Sequence, residues 1–453
     1  DATHPKGWGT ILVVGLRFGG GDFVLDPAND ADGDTSNDIT LRSSYVVLDI
    51  TDPEQPPTVL AEITHPDMGY TIAEPSLIKR RSANATTGSY AKSDLEFNDW
   101  YLVFGSGPAG ATAAGREKAL SSAVSDKTAK LFIYDLVDKS LSVEDLGENK
   151  SFIGGIQSVD WTRDYIDDAI YFGVVSGEVS SASGKLMRGI VDHSASGLSL
   201  NLGQVLDATA QPFSATPLTV RDRLGDYWVY SGTGRFYVVE DNFTTAQQSY
   251  YGIKEPQVGA KVDDAVVEKA NLINTTDIRV FTDGSIDSKA NPGSAIPLKG
   301  LTNPAKTFMD VYEAVQRNDG WYFNFTRERA RNVTQAVISD QSLVFTEYQP
   351  SGLKCQPEGY GFLNAPHMQA GIPGAFAPIG TVPGSTNGEG AEEVKLSDSL
   401  GLGSPSSPSI FQRGDGKKVA VVQTSTGELS TNVIESGATQ GQRESWRELI
   451  ISW

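Results

Sequence analysis

Two short stretches of the sequence place oxygen-bearing side chains at alternate positions, which is the spacing that wraps a calcium ion. In an EF-hand-like loop, side-chain oxygens come from positions 1, 3, 5 and 9, and a backbone carbonyl comes from position 7. The stretch 22–38 carries six aspartates and neither lysine nor arginine. The first candidate calcium site in this stretch consists of Asp30, Asp32, Asp34, Ser36 and Asp38.

This first loop departs from the EF-hand pattern in two places. Gly33 occupies position 4, whereas the turn glycine usually stands at position 6, which is Thr35 here. Position 12 is Leu41, so no bidentate acid closes the shell. An acidic, solvated hairpin loop is therefore the alternative interpretation. We predict calcium because so many like charges repel one another when no cation is present.

The second stretch, VDWTRDYIDDAIY, repeats the same spacing. Thr162 is a poorer ligand than aspartate or asparagine, and Tyr165 stands where the turn glycine is usual. From the spacing alone, an ordinary hairpin is a competing interpretation. The second candidate calcium site consists of Asp160, Thr162, Asp164, the carbonyl of Ile166, and Asp168.

A glycine motif at 105–110, GSGPAG, matches the G-x-G-x-x-G pattern of dinucleotide-binding proteins. That motif binds pyrophosphate only when a helix with an apolar face follows it and packs on a parallel sheet. The following residues offer only scattered apolar candidates, such as Leu120 and Val124, and similar glycine pairs recur after two later strands. We therefore interpret these glycines as strand-end residues and not as a nucleotide site.

The groups that enzymes use for catalysis are sparse. The four histidines, His4, His65, His193 and His367, show no zinc-binding spacing, and no G-x-S-x-G elbow occurs. The tripeptide at 413–415 spells Arg-Gly-Asp, but it lies between two apolar runs, where glycine and aspartate favour a hairpin turn. We predict that the chain is not an enzyme and that it has no catalytic residues.

A recurring phrase predicts the elements that position these loops. Short runs rich in Val, Ile, Tyr and Phe, bounded by Gly, Asp and Ser, are typical of strands. They recur as a strand, a second strand running into glycines, and a third strand ending in an acid. A Greek-key sandwich is the alternative, but a repeated phrase favours a modified all-β propeller with long loop insertions. Three copies begin with PSLIKR (75–80), SVDW (158–161) and ATPLTV (215–220), and a late one with SPSIFQ (407–412).

The repeat covers the chain as one domain, 1–453. Segment 254–318 interrupts the rhythm and is predicted to be an insertion, with helical spacing at 264–273 and 304–316. Residues 379–404 are rich in Gly, Ser, Thr and Glu, and their composition predicts a surface loop.

The charge balance limits the partners. With 57 acidic and 37 basic residues, the formal charge of −20 repels phosphate backbones and anionic membranes, so we expect no nucleic-acid partner. No apolar run is long enough to predict a membrane span. A single cysteine, Cys355, excludes an intrachain disulfide and cysteine-based zinc motifs. The first residues lack the pattern of a signal peptide, and we expect the chain to be a piece of a longer protein.

Several ordered phrases resemble the C-terminal propeller of the PilY family, the tip-associated adhesins and assembly factors of type IV pili. The likeness extends from about residue 8 to the end. It includes WGTILVVGLRFGGG, MGYTIAEPSLI, DWYLVFGSG, KLFIYDL, YSGTGRF, QQSYYGI, GWYFNF, LVFTEYQPSGLKC and ESWRELI.

This resemblance implies a function and supports the second calcium site. Asp160, Thr162, Asp164, Ile166 and Asp168 match the family's calcium loop position by position. The family implies calcium as the bound ion, minor pilins at the pilus tip as partners, and a host or abiotic surface ligand. It also implies an extracellular location at the pilus tip or bacterial surface. A quinone-dependent (PQQ-type) propeller dehydrogenase and a generic secreted ligand-binding propeller remain alternatives.

Overall fold

Strands dominate the computed structural model of the protein. It describes residues 9–21, 23–25, 39–81, 98–193, 197–256, 266–354, 356 and 358–437. Within these residues there are two α-helices, α1 (Ala113–Ser122) and α2 (Phe308–Gln316). The same part of the chain contains no helix long and apolar enough to cross a bilayer.

In the described part of the chain, six sheets of three to five strands follow one another, and we number them blades 1 to 6. Blade 1 contains three of the first five strands, and the other two pair as a separate hairpin. These strands are β1 (Ile11–Gly15), β2 (Phe23–Leu25), β3 (Ile39–Leu41), β4 (Tyr45–Asp49) and β5 (Thr58–Ile63); β2 and β3 are the hairpin. Blade 2 contains β6 (Ser76–Arg81), β7 (Asn98–Gly105), β8 (Lys130–Asp135) and β9 (Leu141–Asp145). Blade 3 contains β10 (Ser151–Val159), β11 (Ala169–Ser176), β12 (Ser183–Val191) and β13 (Leu200–Asp207).

The second half of the chain repeats this arrangement with larger excursions. Blade 4 contains β14 (Leu218–Arg221), β15 (Tyr227–Gly232), β16 (Ser249–Lys254), β17 (Ile273–Asn274) and, after the hairpin of β18 (Ile278–Val280) and β19 (Ile286–Ser288), β20 (Gly320–Asn324). Blade 5 contains β21 (Val337–Ser339), β22 (Ser342–Gln349), β23 (Tyr360–Asn364) and, after the hairpin of β24 (Thr381–Thr386) and β25 (Glu392–Val394), β26 (Ser397–Leu402). Blade 6 contains β27 (Ser409–Gln412), β28 (Lys418–Gln423) and β29 (Leu429–Ile434).

Five of the six hydrophobic clusters among the described residues are shared by two neighbouring blades, and the sixth lies around α2 and the hairpin of β18 and β19. Val103 of blade 2, for example, lies in the same buried cluster as Phe172 of blade 3. Because antiparallel strands alternate their side chains between two faces, a blade in the middle of the series packs on both sides. The successive clusters join blades 1 and 2, 2 and 3, 3 and 4, 4 and 5, and 5 and 6. This stacking confirms the predicted all-β, propeller-type fold.

The blades differ from the predicted three-strand phrase because blades 2 and 3 each have a fourth strand. In blade 2 this strand is β9, with the sequence LSVED, and its residues are half-buried or exposed. A sheet edge needs few apolar side chains, so β9 lacks the apolar run that marks the inner strands.

The prediction of a surface loop over 379–404 is wrong. Strand β26 lies inside this segment and pairs with β23 in blade 5, and the hairpin of β24 and β25 precedes it. Leu400 is buried in the core shared with blade 6. The glycines that indicated a loop stand at turns and at an irregularity in the ladder. Gly401, for example, has φ 90°, which only glycine adopts readily.

Strands β16 and β20, on either side of the predicted insertion, pair directly and antiparallel with Tyr251 opposite Tyr322. Helix α2 lies within the predicted helical stretch 304–316 and begins at Thr307, whose side chain accepts a hydrogen bond from the Asp310 N–H. The α-helix expected from the spacing at 264–273 is wrong for the described residues from 266 onward, in which the only helix is a single 3-10 turn at Lys269–Asn271. Val267 N–H donates to the Val205 carbonyl at 2.8 Å, and this bridge holds the backbone extended.

Candidate functional site

The loop 160–168 joins β10 to β11 in blade 3, and two buried apolar residues anchor it. Trp161 is 2% exposed, and its indole N–H donates to the Tyr171 hydroxyl at 3.3 Å. Its ring also packs edge-on against Tyr227 of blade 4, with ring centroids 4.6 Å apart. Ile166, 6% exposed, is the second anchor. The loop therefore has a fixed base between two blades.

The loop folds around its own carboxylates. Asp160 accepts backbone N–H bonds from Arg163 at 2.5 Å, Tyr165 at 2.7 Å and Asp164 at 3.2 Å. Asp168 accepts from the Thr162 N–H at 2.8 Å, and Asp164 accepts from the Ile166 N–H at 3.1 Å. The backbone of the loop is therefore held by its own carboxylates.

Two residues of this loop adopt left-handed backbone conformations. Tyr165 has φ 67° and Arg163 has φ 62°. Tyr165 stands where an EF-hand-like loop usually has glycine, and its backbone takes the conformation that glycine would favour. Its side chain is 83% exposed, so no packing compensates for the strained conformation.

The donor chemistry of the loop suits calcium, but the side chains are not gathered around one point. The second candidate site offers three carboxylates, one hydroxyl and one carbonyl, and all of these are oxygen ligands. Among the described residues, no group of three or more acidic, histidine or cysteine side chains is close enough together to hold a metal ion. Asp164 and Asp168 each use one carboxylate oxygen in the loop's hydrogen bonds. An ionised carboxylate accepts at both oxygens, so each retains capacity for a cation.

Asp167 ties this loop to blade 2, a role that sequence analysis missed. Its carboxylate accepts from the Lys79 N–H at 2.7 Å, and its own N–H donates to the Lys79 carbonyl at 2.9 Å. Burial, together with the neighbouring charges of Asp160 and Asp168, raises the pKa of Asp167 to about 6 against the lowering effect of the Lys79 N–H. The sequence signal for this role was the adjacent pair Asp167-Asp168, because only Asp168 fits the ligand spacing and Asp167 is then left for another contact.

The first candidate calcium site lies outside the described residues. The structure describes the hairpin strands β2 and β3, which flank the loop on both sides. The prediction that Asp30, Asp32, Asp34, Ser36 and Asp38 bind calcium therefore stays a prediction.

The glycine motif at 105–110 follows β7, and α1 follows the motif. Strand β7 pairs antiparallel with both β6 and β8, so the parallel sheet of a dinucleotide-binding unit is absent from this part of blade 2. A Cβ atom on Gly107 would lie 1.7 Å from the Tyr70 carbonyl oxygen, and one on Gly110 would lie 2.0 Å from the Gly115 carbonyl carbon. The motif therefore permits close packing of blade 1 and of α1.

A cavity of about 380 Å³ lies where this motif meets blade 1. Its walls come from the turn after β5, the end of the glycine motif and one face of α1. Sequence analysis missed it because the lining residues are far apart in the chain. Those with polar or charged side chains are Arg42, Ser43, His65, Tyr70, Arg116, Glu117 and Lys127.

The Arg-Gly-Asp tripeptide forms the turn between β27 and β28. The Gly416 N–H donates to the Arg413 carbonyl, and the Arg413 N–H donates to the Lys417 carbonyl at 2.8 Å. The Arg413 guanidinium lies 3.7 Å from the Asp415 carboxylate. The two charged side chains thus face each other in an exposed hairpin turn, as the hairpin interpretation predicted.

The described residues define a class, an all-β domain of stacked propeller blades whose loops lie at the blade edges. Within that class, the fold is that of the Pseudomonas aeruginosa PilY1 C-terminal domain. The TM-score is 0.57 at 17% sequence identity, over 95% of this chain and 82% of that one. The resemblance predicted from the ordered phrases is thus confirmed at the level of the fold.

The other comparisons add little. A glycoside hydrolase family 32 structure from Bifidobacterium adolescentis is similar over 94% of this chain and 66% of that one. Its TM-score is 0.23 at 10% identity, so this likeness carries no argument. No protein-family model matches the sequence, and no curated protein matches it.

Proposed function

We propose that this chain is a non-enzymatic, tip-associated component of a type IV pilus that supports pilus assembly and surface adhesion. The observation that carries the proposal is the likeness to the PilY1 C-terminal domain over 95% of the chain. The ordered PilY phrases add to it, because many of them fall on strands and strand ends of successive blades. In this proposal the protein works outside the cell, docks on minor pilins and presents its loops to a host or abiotic surface.

We also propose that calcium stiffens the loop 160–168. The support is the agreement between sequence spacing and backbone conformation, since Tyr165 adopts the φ expected at the glycine position. Asp160, Asp164 and Asp168 place three negative charges in one nine-residue loop, and a divalent cation that drew them together would offset their mutual repulsion. Because Trp161 and Asp167 tie the loop to neighbouring blades, calcium at this point would rigidify a junction between blades.

Deletion in the source bacterium tests the pilus proposal. We expect an in-frame deletion to abolish or strongly reduce surface pili, measured by electron microscopy and by immunoblotting of the sheared pilin fraction. Complementation with the wild-type gene should restore both. Co-purification of minor pilins with the tagged protein from crosslinked cells should identify the docking partner. Wild-type piliation and adhesion in the deletion strain would refute the proposal.

Hydrogen exchange tests the calcium proposal separately. We expect calcium to slow amide exchange in 160–168 relative to chelator, with magnesium giving a smaller effect because it prefers a rigid octahedral shell. The variant Asp164→Asn should lose this protection, while Asp138→Asn, at an exposed turn of blade 2, should keep it. Exchange that is the same with calcium and with chelator in the wild type would overturn this part and leave the pilus proposal intact.

A further inference from the structure

The cavity beside α1 is walled by one face of that helix. Ala113, Arg116, Glu117 and Leu120 all line it, and their spacing of three, one and three residues places them on a single helical stripe. A helix that packs on a protein normally buries an apolar stripe. Here the middle of the stripe consists of the charged residues Arg116 and Glu117. Only Ala119 of the helix is buried. The face of α1 toward blade 1 therefore borders a space and not a hydrophobic core.

Arg116 is a cation of this wall that has no partner among the described residues, and the neighbouring acid Glu117 is likewise unpaired there. Within the described part of the chain, its guanidinium makes neither an ion pair nor a hydrogen bond. Lys127, also in the lining, is already paired with Asp67 at 2.9 Å, and Lys130 contacts the second oxygen of the same carboxylate at 3.0 Å. These two lysines lower the pKa of Asp67 to about 2, against a smaller opposing effect of burial, so Asp67 is charged and occupied.

His65 also lines the cavity, and its ring is held in one orientation. Its Nδ1 accepts the Asp67 N–H at 3.1 Å, so the proton of the neutral ring is on Nε2. The ring is held against Phe132, with centroids 5.3 Å apart. The cavity thus combines a free guanidinium, a fixed N–H donor and apolar surface from Pro66, Pro108 and Leu120.

The N-terminus of α1 does not explain this arrangement. The Thr112 side chain accepts from the Gly115 N–H at 3.1 Å, and Asp126 accepts from the Ala111 N–H at 2.8 Å. The first donors of the helix are therefore partly satisfied by the protein itself, and the attraction for an anion rests on Arg116 and His65.

We propose that this cavity binds a compact organic anion, with its carboxylate or phosphate paired to Arg116 and its body against the apolar walls. The volume falls in the range of roughly 300–1,000 Å³ that is usual for small-molecule sites and is far larger than an inorganic ion needs. A guanidinium presents paired donors that match either a carboxylate or a phosphate. This site is independent of the proposed pilus function, because it concerns the purified protein and a small molecule.

Three consecutive residues of α1 provide a matched test. Arg116→Gln removes the proposed anchor, and Glu117→Gln removes the acid beside it. Lys118→Gln makes the same charge change as the first on a residue outside the cavity lining, one that pairs with Glu178 at 2.6 Å. The probes are glucuronate, glucose 6-phosphate and neutral glucose, with binding measured by titration calorimetry and by NMR of the labelled protein.

We expect at least one of the two anions to bind saturably in the millimolar range or tighter, and glucose not to bind. Arg116→Gln should weaken binding by about tenfold or more, because a charge-assisted hydrogen bond is lost. Glu117→Gln should strengthen binding about two- to threefold, and Lys118→Gln should change it less than about twofold. The preference between glucuronate and glucose 6-phosphate identifies the charged group.

Three results would overturn the proposal. They are failure of both anions to bind the wild-type protein, equal binding of glucose, and equal affinities of the Arg116→Gln and Lys118→Gln variants. Should Arg116→Gln misfold, the tighter binding expected of Glu117→Gln decides the question, and unchanged affinity in that variant counts against the site. None of these outcomes depends on pili, so they leave the pilus proposal unaffected.

Discussion

A buried ion pair between blades 3 and 4 gives the sharpest stability prediction. Arg188, on β12, donates to the Glu255 carboxylate at 2.9 Å, and the two side chains are 1% and 0% exposed. Burial, together with the charge of Glu255, raises the pKa of Tyr171 well above its ordinary value, so that hydroxyl stays neutral. Replacing Glu255 by Gln removes the carboxylate charge that the buried Arg188 guanidinium contacts. Breaking such a pair costs about 3–5 kcal/mol, a large share of the roughly 5–15 kcal/mol that stabilises a typical domain.

A surface pair of similar geometry is the control. Lys118 and Glu178 lie 2.6 Å apart with both side chains about half exposed, and such pairs contribute about 1 kcal/mol or less. Urea denaturation followed by tryptophan fluorescence should show a large loss in the free energy of unfolding for Glu255→Gln and almost none for Glu178→Gln. Adding Arg188→Met to Glu255→Gln should recover part of the lost stability, because the buried positive charge is then removed together with the negative one. Equal midpoints for the two glutamine variants would refute the reasoning.

Three further predictions rest on single residues. Burial lowers the pKa of His367 to about 4, so between pH 6.5 and 4 the unfolded chain binds a proton that the folded chain does not. The free energy of unfolding should therefore fall by up to about 3 kcal/mol as the pH drops through that window, and His367→Gln should flatten this slope in denaturation curves. Gly107→Ala should destabilise the protein by about 3 kcal/mol or more, because its Cβ would overlap the Tyr70 carbonyl, whereas Gly388→Ala, with open space around it, should be nearly neutral in thermal melts. Tyr165→Gly relieves a left-handed conformation worth about 1 kcal/mol and should raise calcium affinity up to about fivefold in titrations; weaker binding would contradict the assigned position.

The sequence predicted the inner strands well, because β-branched and aromatic runs between glycines and acids can be recognised from local sequence. It did not predict outer strands such as β9, whose residues are half-buried or exposed, or β26, which has one buried residue and a glycine that resembles those of loops. Those segments are strands because they pair with neighbouring strands in the folded protein, and local composition does not encode that pairing. The helical spacing at 264–273 failed for the same reason.

The candidate sites show a similar division. The oxygen spacing of 160–168 is local, so the candidate site could be proposed from the sequence, and Tyr165 could be recognised as a departure from the usual glycine. The contact of Asp167 with Lys79 joins residues 88 positions apart, so the doubled aspartate at 167–168 indicates a spare carboxylate but not its partner. The cavity is lined by residues from the turn after β5, the glycine motif and α1, and only the fold brings these segments together.

The shared cores between blades also determine how the protein can be divided. A cut between β13 and β14 would leave Val205 and Leu206 in the first fragment and Val229 and Tyr251 in the second, although all four belong to one buried cluster. Each fragment would then present a broad apolar surface to water, which favours aggregation over independent folding. Proteolytic nicks within the described residues should therefore leave the pieces associated, and split halves should regain solubility only when they are expressed together.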